Sequence, residues 1–215
     1  MLRLLGDAGI DHGLVVDLGC GSGIAASLLV DAGYDVFGVD VSQPMVELAR
    51  ARVPAGRFVC ASLHDVELPR CAAVVAMGEI PSYAGLSDEL FARVNEALAP
   101  GGLFVFDVAT PGRGSVDPVR SWHSGDGWVV CSSAVEDPDA RRLTREIVSF
   151  RLASEGAGQW RRSDEVHELS LYEPEAVVSG LTRAGFEDAR VLERGYGPQL
   201  ELPRGIAVVS ARAPA

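Results

Sequence analysis

Two carboxylates and three glycines are the residues of this chain whose spacing most clearly does chemistry. Asp17 lies near the end of the apolar run Leu14-Val15-Val16-Asp17-Leu18, and Gly19, Gly21 and Gly23 follow it at alternate positions. Asp40 closes a second apolar run, residues 35–40. Both runs read as short strands of a parallel sheet, and such a sheet binds ligands beyond the carboxyl ends of its strands, where the strand order reverses. The glycines let the backbone turn sharply and come close to a ligand. The helix that follows presents free N–H groups and a partial positive charge suited to a carboxylate. Asp40 is placed to accept hydrogen bonds from both hydroxyls of a ribose, and Asp17 to compensate an ammonium group.

A carboxylate, an ammonium and a ribose together describe S-adenosylmethionine (SAM) better than a dinucleotide. The nicotinamide reading needs G-x-G-x-x-G, and the sixth position counted from Gly19 is Ile24. A pyrophosphate would also gain nothing from Asp17.

The elements that must position these groups alternate along the chain. Strands are expected over 14–18, 35–40, 57–60, 72–76 and 103–108, from apolar runs bounded by turn residues. Helices are expected over 24–32, ended by Gly33, over 42–52 with Pro44 in the first turn, and from Ser87, where Leu90, Phe91, Val94 and Leu98 keep helical spacing. This order predicts a doubly wound α/β sheet with right-handed crossovers. A last helix over 174–185 precedes two strands, 189–193 and 206–212, close enough in sequence to pair antiparallel at the sheet edge.

The segment between the fifth strand and that helix is too long for a plain connection. Residues 128–135, 143–152 and 160–171 alternate apolar and polar side chains and are separated by turn-rich stretches at 136–139 and 155–158. They predict an antiparallel β-meander inserted after the fifth strand. The expected organisation is a single domain over 1–215 with the insert, 111–172, as a lid. Met1 precedes the first strand by only about a dozen residues, so either a covering segment lies upstream of it or the meander covers the crevice alone.

Three stretches, VVDLGCGSG, VFGVDVSQPMVELAR and LAPGGLFVFDVATPG, closely resemble the successive motifs of class I SAM-dependent methyltransferases. The resemblance implies a Rossmann-like seven-stranded sheet with its last strand antiparallel, SAM lying across the first, second and fourth strands, and methyl transfer from the sulfonium to a nucleophile. By position it implies that Asp17, Gly19, Cys20, Gly21 and Gly23 surround the methionine moiety and that Asp40 holds the ribose. Val41 and Met45 would flank the adenine, Ser62 and Leu63 would border its edge, and Ala76, Met77 and Gly78 would border the sulfonium. Many relatives have Asp where this chain has Ser62, which removes the expected side-chain contact to the adenine amino group.

Because the sulfonium is an activated donor, the protein mainly aligns the acceptor and removes a proton where one must leave. Ala76-Met77-Gly78-Glu79 does not match the Asn/Asp-Pro-Pro-aromatic motif of enzymes that methylate amide or adenine nitrogens, and no Pro-Cys pair marks a cytosine C5 nucleophile. A small-molecule acceptor is the leading class. Glu79, Tyr83, Trp160 and His167 are the residues in reach of it, with His167 suited to a general base by its near-neutral titration. Glu165, His167 and Leu169 should share one strand face that lines the acceptor pocket. Asp107 ends the fifth strand and either lines the cleft or caps the next turn.

Composition restricts the partners. Formal net charge is −11 and every basic residue is Arg, so clustered positive charge for a nucleic acid is not expected. Cys20, Cys60, Cys71 and Cys131 form no C-x-x-C pair and sit mostly in apolar runs, which reads as buried reduced thiols and no metal site. No run is apolar enough for a membrane span, and no signal pattern opens the chain. The expectation is a cytoplasmic, monomeric or homodimeric bacterial enzyme. A SAM-binding protein without methyl transfer, a SAM-fold enzyme of other chemistry and an NAD-dependent oxidoreductase are the remaining classes.

Overall fold

The computed structural model describes residues 1–153, 158–193, 195–196 and 202–215. After α1 (Leu2–Asp7) the chain runs β1 (Leu14–Leu18), α2 (Ile24–Asp31), β2 (Asp35–Asp40), α3 (Gln43–Arg52), β3 (Arg57–Cys60) and β4 (Cys71–Ala76). It continues with α4 (Ile80–Ala84), α5 (Asp88–Ala97) and β5 (Leu98–Ala109). Four strands follow, β6 (Val119–Gly125), β7 (Trp128–Asp137), β8 (Arg142–Leu152) and β9 (Trp160–Ser170), then α6 (Pro174–Arg183), β10 (Glu187–Val191) and β11 (Ile206–Arg212).

The main sheet has seven strands in the order β10-β11-β5-β4-β1-β2-β3. β1 pairs in parallel with β2 and β4, and β11 pairs antiparallel with both β5 and β10. The order reverses between β4 and β1, so the crevice opens beyond their carboxyl ends. Strand alternation divides the core into two layers. Val16, Leu18, Val74, Phe104, Phe106 and Val209 face α5 and α6 and pack with Leu90, Phe91, Val94, Val177 and Leu181. Val15, Ala73, Val75, Val105 and Val208 face α1, α2 and α3 and pack with Leu5, Ala26, Leu29, Val46 and Ala49. Each Val, Leu or Phe so buried stabilises the fold by roughly 1.5–3 kcal/mol relative to exposure.

The insert is a four-stranded antiparallel sheet in the order β6-β7-β8-β9. Its base is tied to the main body by buried Glu136, whose carboxylate accepts hydrogen bonds from Gly112 N–H (2.8 Å) and Gly114 N–H (2.7 Å). Leu143, Leu169 and Leu171 close a small apolar cluster with Ala109 at the same place.

Four features depart from the sequence reading. The meander gains β6, whose residues are all exposed, so it carries no burial pattern. α4 fills the turn after β4, with Pro81 in its first turn. β5 begins at Leu98 and not at 103, because the ladder to β4 passes Pro100-Gly101-Gly102 with a register shift between Cys71 and Ala73. Cys20 and Cys71 are buried as expected, but Cys60 and Cys131 are exposed, and all four are free thiols. Of the turn expected at 155–158, residues 155–157 lie outside the described residues. No described helix is long and apolar enough to cross a membrane.

Candidate active site

The glycine loop is fixed by the neighbouring strand. The N–H groups of Gly19 and Cys20 donate to the Val39 carbonyl at 2.7 and 3.0 Å. Asp40 completes the connection, accepting from Gly21 N–H at 2.8 Å on one carboxylate oxygen and from Ser42 N–H at 2.8 Å on the other. A carboxylate has about four acceptor sites, so Asp40 retains capacity for donors of a ligand. Gly19, Gly21 and Gly23 have φ of 74°, 50° and 79°, the left-handed region where a side chain is strained. A Cβ on Gly19 would also stand 2.4 Å from the Ile80 side chain. The chain thus needs glycine there to bring α4 over the loop.

Asp17 is only 2% exposed, and its Oδ2 has no partner among the described residues. Burial, and next the nearby Asp40 carboxylate, push its titration up to about 7. Buried polar atoms are almost always paired, so this orphaned oxygen fits a cationic group supplied by a ligand.

Beyond the ends of β1 and β2 opens a cleft of about 370 Å³, lined by Gly19, Val39, Asp40, Val41, Ala61, Ser62, Leu63, His64, Ile80, Tyr83 and Ala84. Of the expected cofactor residues it brings together Gly19, Asp40, Val41, Ser62 and Leu63. Asp17, Cys20, Gly21 and Gly23 are not among the residues that line it. Met45 is 42% exposed on α3 and does not line it. Ala76 is buried, and Met77 packs on the layer containing Leu5 and Tyr196. Ser62 spends its hydroxyl on the His64 N–H at 3.1 Å, which shapes the loop after β3. Sequence reasoning missed Val39, Ala61, His64, Ile80 and Ala84. His64 Nε2 lies 2.9 Å from the Ala84 carbonyl and joins that loop to α4. Pro81 was the available sign that a helix starts there and carries Ile80 and Tyr83 to the cleft.

Behind the rim lies an ionic network. Asp107 is 5% exposed and neither lines the cleft nor caps a turn of its own; it accepts from Gly78 N–H (3.2 Å), from Glu79 N–H and from the Tyr196 hydroxyl (2.8 Å). This clamp holds Glu79 in a left-handed conformation, φ 61°. Glu79 is buried and paired with two guanidiniums, Arg113 Nε at 2.8 Å and Arg145 at 3.6 Å. Arg145 also donates to the Tyr83 hydroxyl at 3.2 Å, while burial, first among the causes, raises the Tyr83 titration.

His167 stands edge-on to the Tyr83 ring, centroids 5.6 Å apart, with Nε2 3.1 Å from Glu165. The ladder pairs Arg145 with His167 and Leu143 with Leu169, so Glu165, His167 and Leu169 do share the face turned to the main body. Trp160 is a correction: it occupies the alternate parity of β9 and is 49% exposed on the opposite face, since a strand turns successive side chains to opposite sides.

Comparisons with known proteins bear on the family and the fold. A family described as a methyltransferase domain matches residues 15–102. The dTDP-3-amino-3,4,6-trideoxy-alpha-D-glucopyranose N,N-dimethyltransferase of Streptomyces venezuelae is 30% identical over 183 residues, covering 80% of this chain and 74% of that protein. The crystal structure of a sugar N-methyltransferase from Streptoalloteichus sp. superposes with a TM-score of 0.80 at 21% identity, covering 99% of this chain and 85% of that one. A SAM-bound amino pentose methyltransferase from Micromonospora echinaspora superposes with a TM-score of 0.78 at 20% identity, covering 98% of this chain and 87% of that one. The two structures share the fold. The Streptomyces venezuelae relative, with the methyltransferase motifs and the sheet order, shows that this chain belongs to the class I SAM-dependent methyltransferases.

Proposed function

We propose that the protein methylates an amino nitrogen of a small, sugar-like molecule that enters beneath the four-stranded sheet, working in the bacterial cytoplasm. The observation that carries this reading is the edge-on contact of His167, from the inward face of β9, with Tyr83, which itself lines the cofactor cleft. The insert over 111–172 then serves as the lid, bringing aromatic and polar groups to the mouth of the cleft and excluding water. The Streptomyces relative is named for an amino sugar, which favours nitrogen as the acceptor atom. The exposed thiols Cys60 and Cys131 suit a reducing compartment.

In this reading Asp40 holds the ribose and Asp17 faces the ammonium. Bound SAM supplies an electrophilic methyl group. The protein aligns the acceptor and takes up the proton that the amine must lose. If His167 Nε2 carries its proton toward Glu165, Nδ1 is left as the acceptor. Tyr83 positions the imidazole and the acceptor, and Glu79 acts indirectly by holding Arg113 and Arg145.

The test offers the protein methyl-labelled SAM with a panel of free and nucleotide-linked amino sugars and follows label transfer by mass spectrometry. Transfer to an amine is expected, and His167→Ala should lower it by about 100-fold with SAM affinity nearly intact. Full activity in that variant, or joint loss of stability and SAM binding, would remove His167 as the base. Absence of transfer to every amine, while SAM binds, would contradict the acceptor class.

A further inference from the structure

A second cavity, about 330 Å³, lies on the inward face of the insert beside the loop after β5, and it gathers Arg113, Arg145 and Arg204 with Ser121 and Ser132. In a chain of net charge −11, three guanidiniums around one hollow are a local reversal of sign. Two carboxylates stand near them, and both are already engaged. Glu136 is occupied by the N–H groups of Gly112 and Gly114. Glu79 is shared between Arg113 and Arg145, which are each 20% exposed and so keep a partly open edge. Arg204 enters no ion pair among the described residues.

Each guanidinium carries five N–H donors in a planar fork that matches phosphate oxygens two at a time. One Glu cannot use the donors of two such groups, and Ser121 and Ser132, 2.8 Å apart, add hydroxyls. The hollow holds several times the roughly 30 Å³ of one water, more than a lone carboxylate needs. It also adjoins the cofactor cleft: Arg145 lines the hollow and donates to the hydroxyl of Tyr83, which lines the cleft.

We propose that this second cavity is a subsite for a phosphate or diphosphate group carried by the acceptor, with Glu79, Arg145 and Tyr83 as the partition between it and the methyl-transfer cleft. The inference rests on the acceptor reading given above and deepens it: the acceptor is a phosphorylated molecule, anchored by its anion while its nucleophile reaches past Tyr83. Glu79 then has a definite task, holding Arg113 and Arg145 fixed before the anion arrives.

Calorimetric titration of inorganic pyrophosphate into the protein preloaded with S-adenosylhomocysteine (SAH) tests it. Binding is expected, weakened about tenfold or more by Arg204→Gln and by Arg145→Gln. Arg204→Gln should leave SAH affinity within about twofold, because Arg204 does not line the cofactor cleft and the side-chain hydrogen bonds of Glu79 and Tyr83 run to Arg113 and Arg145. Failure of pyrophosphate to bind, equal binding by the variants, or succinate binding as tightly as pyrophosphate would overturn the subsite. Thymidine diphosphate should bind more tightly than pyrophosphate if the anion is the handle of a larger acceptor; equal affinity would instead mark a free-anion site and refute that reading. Loss of SAH binding by the wild type would be a failure of the cofactor assignment, read in the same cell and distinguishable from these.

Discussion

Asp17 carries an unusual electrostatic load for a side chain so near a loop. Its titration stands near 7 in the folded protein against an ordinary 3.8, through burial and the neighbouring Asp40. A group whose pKa is raised on folding binds more protons in the native than in the unfolded chain, so stability falls as pH rises through the interval between the two values. The ligand-free protein should therefore lose thermal stability from about pH 4 to about pH 7 and change little from this source above it. An ammonium placed beside Asp17 favours the charged form, so SAH should bind more tightly as pH rises toward 7, releasing a proton on binding. Melting curves and calorimetry across this range check both trends. Asp17→Asn should flatten them, and an unchanged pH dependence in that variant would assign it to another group. The position of Asp17 near the end of a strand before a glycine loop was legible in the sequence. Its orphaned oxygen was not, since pairing depends on what packs around it.

At the scale of elements, the cofactor side of the site was readable and the acceptor side less so. The glycine spacing and the strand-ending carboxylates follow local rules of backbone and crevice geometry, and they led to Gly19, Asp40 and Val41, which line the cleft. α4 is five residues long, too short to show a helical period, yet it brings both Ile80 and Tyr83 into the cleft. β6 has neither face buried, so no alternation could announce it. Arg113, Arg145 and Arg204 are far apart in sequence and meet only through the insert. The contact between α4 and the glycine loop gives a test of its own. Gly19→Ala forces a side chain into the left-handed region, at about 1–2 kcal/mol, and drives it against Ile80. Denaturant unfolding should show that loss plus a steric part, and adding Ile80→Ala should recover the steric part only. Complete recovery would mean that the conformation of Gly19 costs nothing.

For the whole molecule, the sheet divides the work. Beyond the ends of β1 and β2 it presents a cleft whose lining carries one carboxylate, Asp40, among largely apolar side chains. The insert, tied down at Glu136 and Leu143, brings Arg113, Arg145 and His167 to the other side, against Tyr83 of α4. The doubly wound sheet and its antiparallel edge were foreseeable from alternating elements and short connections, and the count of seven strands from the family resemblance. The way the second sheet meets the first was not, because it depends on contacts such as Arg145 with Glu79 between distant segments. The central claim is that the cleft at Asp40 holds SAM, and SAH calorimetry on the wild type and on Asp40→Ala tests it most directly. The wild type should bind, and the variant, shown by its melting curve to be folded, should bind more weakly by roughly 2–3 kcal/mol, the loss of charge-assisted hydrogen bonds to the ribose. Equal affinity in the folded variant, or no binding by the wild type, would contradict it.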